Sequence, residues 1–220
     1  LGAMFVDGGF ANYVVTGASS HFSSAERQFR FPLEYGSQRA ATCQWTVTGA
    51  GSVLIGREGN YPEVTYVTTG KVKDYGIKDV NNMGAAMAPS AVDTIYTHFK
   101  DTGRDESYYD CIATGDLGKV GRQITETMLK NLGYDISKIY VDCGESIYDS
   151  ARQDTFSGGS GCGCSASVFT GYFYKRLLEG KINRILIIST GALMSPTTSF
   201  QGESIPGIAH AVSIEFNNRR

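Results

Sequence analysis

The stretch SASVFTGYFYKRLLEGKINRILIIS, residues 165–189, decides the fold. From Ser165 to about Glu179 the apolar side chains Phe169, Tyr172, Phe173 and Leu177 recur at helical spacing, and Gly180 supplies the stop. Arg184 to Ser189 then carries Ile185-Leu186-Ile187-Ile188, a short unbroken apolar run of the kind that forms a strand buried on both faces. The same pairing of helix and strand occurs twice upstream. Ala85 to Phe99 lines up Ala88, Ala91, Val92, Ile95 and Phe99 and leads to Cys111-Ile112-Ala113-Thr114; its Pro89 is expected near the first turn, where a missing N–H costs nothing. Arg122 to Leu132 places Ile124, Met128 and Leu132 on one stripe, stops at Gly133, and leads to Ile139-Tyr140-Val141-Asp142-Cys143. This alternation predicts an α/β layer fold with parallel strands, and Ala211 to Phe216 is expected to close the sheet near the C-terminus.

The first 80 residues read differently. Tyr13 to Thr16, Thr46 to Ile55 and Val64 to Thr69 predict strands, joined by a long polar loop from His21 to Ala41 that carries Phe22, Arg27, Phe29, Arg30, Phe31 and Tyr35. A loop of that length inside a compact domain is functional or folded onto a neighbour.

Composition narrows the function classes. The 220 residues are 41% hydrophobic with a formal net charge of -2, and Lys and Arg are interspersed with Asp and Glu, so neither nucleic acid nor an acidic membrane surface is an expected partner. The longest apolar runs fall far short of the roughly 20 residues of a spanning helix. The opening Leu1-Gly2-Ala3-Met4-Phe5-Val6-Asp7 has no basic region before an apolar one, so no secretory signal is expected, and it reads as the last turns of a helix in a fragment of a longer chain. Five cysteines without regular spacing favour a reducing compartment over a disulfide framework. One Cys-x-Cys pair and three scattered His predict no metal site.

Chemistry is suggested at three places. Ser157-Gly158-Gly159-Ser160-Gly161-Cys162-Gly163-Cys164-Ser165-Ala166 is a glycine-rich loop running into a helix, where unpaired N–H groups and the helix dipole favour an anion or a thiolate. The competing reading is close packing of small residues, with buried, inert thiols. Thr114-Gly115-Asp116-Leu117-Gly118-Lys119 lies between the end of a strand and a helix, so either Asp116 and Lys119 meet a ligand there or Asp116 caps the helix. Ser19-Ser20-His21, followed by Glu26, Arg27 and Arg30, ends a strand with groups that bind an anion or move a proton, or that pin a structural loop.

In order along the chain, Ser19-Ser20-His21, Ala25-Glu26-Arg27-Gln28-Phe29-Arg30, Gln44-Trp45-Thr46-Val47-Thr48-Gly49-Ala50-Gly51, Asn82-Met83-Gly84-Ala85-Ala86-Met87-Ala88-Pro89, Gly115-Asp116-Leu117, residues 158–166, Thr190-Gly191-Ala192-Leu193 and Glu203-Ser204-Ile205-Pro206 resemble the stage V sporulation protein AD family over nearly the whole chain. The resemblance implies an α/β thiolase-like fold layered α/β/α/β/α. Residues 1–75 would end its first half and residues 76–220 would form its complete second half. Condensing enzymes of that fold carry a His in the loop that looks like Gly115-Asp116-Leu117-Gly118, and an Asn or His in the loop that looks like Gly158-Gly159-Ser160-Gly161; both are replaced here. Their reactive cysteine, in the first half, would precede Leu1.

The family resemblance therefore implies binding without catalysis. The expected ligand is dipicolinic acid, pyridine-2,6-dicarboxylate, taken up in sporulation and released in germination. Gly161, Cys162 and the loop amides would form the anion end of the site, with Ser20, His21, Asp116 and Lys119 lining it, and no catalytic residue, metal or cofactor is expected. Also implied are membrane-embedded partners encoded with it in the stage V sporulation A operon, a peripheral place on the inner spore membrane, and a homodimer. The alternative is an acyl-thioester condensing enzyme that uses Cys162 or Cys164 as nucleophile.

Overall fold

The computed structural model describes residues 1–22 and 40–217. Most of the long polar loop, with Glu26, Arg27, Phe29, Arg30, Phe31 and Tyr35, lies outside the described residues. The chain runs α1 (Gly2–Asp7), β1 (Tyr13–Ser20), β2 (Trp45–Thr46), β3 (Gly49–Gly56), β4 (Glu63–Thr68), α2 (Met83–Thr102), a 3-10 turn (Glu106–Tyr108), β5 (Cys111–Thr114), α3 (Gly118–Asn131), β6 (Tyr140–Asp142), α4 (Cys143–Ser146) and β7 (Gly159–Ser160). It continues with α5 (Gly163–Val168), a π-helical turn (Phe169–Phe173), α6 (Tyr174–Leu178), β8 (Arg184–Ala192), α7 (Pro196–Phe200) and β9 (Gly207–Glu215).

A five-stranded sheet in the order β4-β9-β8-β5-β6 holds the centre. β5 pairs parallel with β6 and β8, while β9 is antiparallel to both β8 and β4. β9 therefore lies inside the sheet rather than closing it, and β4 and β6 are the edges. The connection through α7 is what turns the chain back beside β8. β4, on the N-terminal side of the expected 75/76 division, is a strand of this sheet.

Side-chain alternation along the strands builds two cores. Ile112, Leu186, Ile188, Ala209 and Ala211 face α2 and α3, meeting Met87, Ile95, Phe99, Leu117 and Leu129. Cys111, Ala113, Ile185, Ile187 and Ile214 face the other way, onto Cys164, Phe173 and Leu177. Ile112, Ile185, Leu186 and Ile188 are fully buried, each stabilising the fold by roughly 1.5–3 kcal/mol. Beyond α5 lies the antiparallel pair β1-β3, and α1 packs on that pair, which completes five layers.

Three local departures from the sequence reading have physical causes. Helix α2 begins at Met83 because the Asn82 side chain accepts from the Ala85 N–H at 3.2 Å, so Pro89 falls in the helix interior instead of the first turn. The predicted strand from Thr46 to Ile55 is two strands: Val47 N–H still bonds to Ser160 O, at 2.8 Å, before the chain leaves β7 and joins β1. The predicted helix from Ser165 to Glu179 is interrupted where Tyr174 N–H reaches back five residues to Phe169 O, and Thr170 Oγ1 donates to Ala166 O at 2.8 Å.

Candidate functional site

The carboxyl ends of β5, β6 and β8 converge with the glycine loop, and two carboxylates organise the junction. Asp142, at the end of β6, is fully buried. Its Oδ2 accepts from Thr114 Oγ1 at 2.7 Å and Leu117 N at 2.9 Å, and its Oδ1 from Gly118 N at 2.8 Å and Glu145 N at 3.0 Å. One side chain thus caps the starts of both α3 and α4. The helix cap expected of Asp116 belongs to Asp142, which takes the Leu117 and Gly118 amides, while the Asp116 oxygens are held by Gly161 N–H and Thr190 Oγ1. Burial, with the nearby Asp116 charge, pushes the Asp142 carboxyl up to about 6, against the pull of the Thr114, Glu145 and Leu117 donors.

Asp116 instead ties the strand ends to the glycine loop. Its Oδ2 accepts from Gly161 N at 2.7 Å and its Oδ1 from Thr190 Oγ1 at 2.7 Å. Gln44 Nε2 donates to the carbonyls of Asp116, at 2.9 Å, and Gly159, at 2.7 Å, bracing the same junction. Gly161 holds φ of +100°, a conformation that glycine adopts without strain. On the far side Ser20 Oγ donates to Val47 O at 2.6 Å and accepts from Gly163 N at 3.0 Å.

Of the six expected binding residues, Ser20, Asp116, Gly161 and Cys162 are drawn together around the start of α5. The amides of Gly161 and Gly163 are engaged by the protein's own Asp116 and Ser20. That changes the expected anion end: the loop carries an internal carboxylate where a ligand's was anticipated. His21 and Lys119 are exposed and stand next in the chain to Ser20 and Gly118. Only the Lys119 backbone joins the junction, its N–H donating to Ser157 O at 2.7 Å. Gln44, Asp142 and Thr190 were not singled out from sequence. The signal for Asp142 was an acidic residue at the carboxyl end of an otherwise apolar strand.

The thiols divide sharply. Cys164 is fully buried, and burial pushes its thiol well above the usual range, as it does for Cys143; Cys111 is pushed up to about 12. Cys164 is therefore a packing residue, as its competing reading held. Cys162 is exposed and its Sγ–H donates to Ser19 O at 2.9 Å. Iodoacetamide is expected to label Cys162 alone in the folded protein and all five cysteines after denaturation, read by peptide mass spectrometry. Labelling of Cys164 under native conditions would show that the start of α5 opens.

The family profile of stage V sporulation protein AD (SpoVAD) matches residues 1–215. The chain belongs to the SpoVAD family. It is 49% identical over 215 residues to the stage V sporulation protein AD of Bacillus subtilis (strain 168), covering 98% of this chain and 63% of that protein. The SpoVAD-family chain thus spans a little under two thirds of that relative. Among solved structures it is similar to 3-oxoacyl-[acyl-carrier-protein] synthase III from Aquifex aeolicus VF5, at 12% identity and a TM-score of 0.54, covering 97% of this chain and 61% of that one. It is also similar to cerulenin-bound OleA from Xanthomonas campestris, at 11% identity and a TM-score of 0.55, covering 96% and 59%. At such identity the likeness shows the fold alone: a partial thiolase-like α/β layering in a sporulation protein. Among the described residues of this family member, no helix is long and apolar enough to cross a membrane.

Proposed function

We propose that this chain is part of a non-catalytic binding protein for dipicolinic acid, acting in an assembly that moves dipicolinate into the forespore and out of the germinating spore. The observation that carries the reading is the engagement of Asp116. Both its oxygens are held by Gly161 N–H and Thr190 Oγ1, in the loop where the resemblance to condensing enzymes calls for a free His. A carboxylate held in this way stabilises no oxyanion, and glycine at 161 offers no side chain to do so. Burial removes Cys164 as a nucleophile, and the exposed Cys162 gives its S–H to the Ser19 carbonyl rather than to a base, so the condensing-enzyme alternative, which would fall to Cys162, is not favoured.

Since the Gly161 and Gly163 amides are engaged, the ligand's charge falls to the exposed Lys119 and His21 at the rim and to residues beyond this chain. The SpoVAD membership favours membrane-embedded partners, a peripheral place on the inner spore membrane and a homodimer. The test is titration calorimetry of the full-length protein with dipicolinate and, separately, with acetyl-CoA, followed by intact mass. Saturable heat with dipicolinate and no acetyl adduct are expected. No heat with dipicolinate would overturn the ligand, and a stoichiometric adduct would overturn the non-catalytic reading. Unchanged affinity in both His21→Ala and Lys119→Ala would remove those two residues from the site.

A further inference from the structure

Two of the chain's three histidines hold the same strand end. β4 is an edge of the central sheet, and β9 is its neighbour there. Beyond β4 the chain continues as a strap, residues 69–77, along the start of β9. Lys73 and Gly207 exchange backbone hydrogen bonds at 2.8 Å, and Ile205 N–H donates to Ile77 O at 2.8 Å. The fully buried His98 of α2 meets Thr68 Oγ1, on the last residue of β4, through Nδ1 at 2.8 Å, and Tyr109 Oη through Nε2 at 2.6 Å. Two residues further on, Gly70 N–H donates to Nδ1 of the exposed His210, on β9, at 3.1 Å. A Cβ at Gly70 would run into Ala209 O, so the backbone lies directly on β9 and an imidazole nitrogen takes its amide.

Both contacts belong to neutral rings. An imidazolium has two N–H donors and no acceptor, so a protonated His210 turns an N–H toward the Gly70 N–H and the bond is lost. Across from His210, β8 places Ser189, and the strap carries Lys71 and Lys73, the latter paired with Asp93 of α2 at 2.8 Å. For His98 the obstacle to protonation is burial, to which the Arg104 guanidinium adds and which the Asp101 carboxylate opposes; together they lower it to about 4. We propose that His98 and His210 form an acid-released clasp, which holds the end of β4 and the strap against β9 at neutral pH and frees them in two steps as pH falls. The sign is the same for both rings: each binds a proton more readily when the strap is open, so opening takes up protons and acid favours it. The exposed His210 lets go first, and the buried His98 follows at lower pH. Gly207, which the strap holds, also pairs with Ala192 of β8, two residues beyond Thr190 of the Asp116 junction. Opening therefore loosens the border of the candidate site, whatever ligand that site takes.

Hydrogen exchange of the full-length protein, read by peptide mass spectrometry and corrected for the intrinsic pH dependence of exchange, tests the clasp. Between about pH 7.5 and about pH 5.5 the peptide covering residues 67–77 is expected to exchange about tenfold faster, while the peptide covering residues 184–190 is not. His210→Asn keeps an oxygen acceptor near the place of Nδ1 and has no ring to titrate, so its strap should exchange slowly at both values. His210→Ala should exchange fast at both. In the His210→Asn protein, acceleration should appear only below about pH 5, where His98 takes its proton, and His98→Gln should remove it. Equal acceleration of residues 184–190 would mean general unfolding and would overturn the clasp. Strap exchange that is the same at both values in the wild type, or acceleration that persists in His210→Asn over that range, would overturn it as well. No acceleration down to about pH 4 in His210→Asn would overturn the part assigned to His98.

Discussion

Replacing Asp142 by alanine is expected to lower the free energy of unfolding by about 3–5 kcal/mol, a large share of the total for a domain of this size. The carboxylate is fully buried and serves Thr114 Oγ1 and the amides of Leu117, Gly118 and Glu145. Alanine strands those donors without water, and two helices lose their cap together. Asp142→Asn should cost less, because one oxygen remains to accept. Urea unfolding followed by circular dichroism measures both; equal midpoints for wild type and Asp142→Ala would show that the junction re-forms without the carboxylate.

The same group sets a pH signature. Its folded value of about 6 lies above the ordinary 3.8, so its stabilising contribution is full below the lower value and is lost as pH rises through the upper one, a difference of about 3 kcal/mol. His98 acts in the opposite sense. It is buried against Thr68 Oγ1 at 2.8 Å and Tyr109 Oη at 2.6 Å, and burial lowers it from 6.5 to about 4. Its contribution, also about 3 kcal/mol, is present above its ordinary value and lost as pH falls through that window. In the wild type the two largely offset one another between about pH 4 and pH 7. Asp142→Asn removes one of them, so the variant should lose stability on acidification more steeply than the wild type, and parallel pH profiles would refute the assignment.

The second large effect is expected where α2 crosses α3. A Cβ on Gly84 would come 2.5 Å from Leu117 O and 2.7 Å from Gly121 N, and one on Gly121 would come 2.8 Å from Gly84 Cα. Backbone meets backbone here, so no rotamer change relieves the contact. Gly84→Ala and Gly121→Ala should each destabilise by about 2 kcal/mol, even after alanine's helix propensity offsets part of the strain. Either methyl already separates the helices, so the double variant should fall short of the sum by more than about 0.5 kcal/mol. Gly171→Ala is the control, because nothing among the described residues lies within 4 Å of its added Cβ, and it should be neutral or stabilising by up to about 1 kcal/mol. Full additivity of the pair would mean that the two helices yield independently.

The layered α/β architecture and most of its elements are legible in the apolar patterning of the chain. Cys111–Thr114 and the strand from Arg184 were legible because a strand buried on both faces must be continuously apolar, and a helix between two layers must repeat its apolar face. The place of the junction is legible too, since Gly115-Asp116 and Gly158–Gly161 stand at strand and helix ends. What the junction does with its groups depends on contacts between distant parts of the chain. Asp116 and Asp142 are both acids at the ends of neighbouring strands, and nothing local says which caps α3 and which binds the glycine loop. That choice depends on where residues 45 and 74 positions away in sequence come to lie, as the Asp116 bonds to Gly161 and Thr190 show. Tertiary packing likewise placed β9 inside the sheet and engaged the Gly161 amide internally, because strand order and hydrogen-bond competition are settled by long-range contacts that no local pattern encodes.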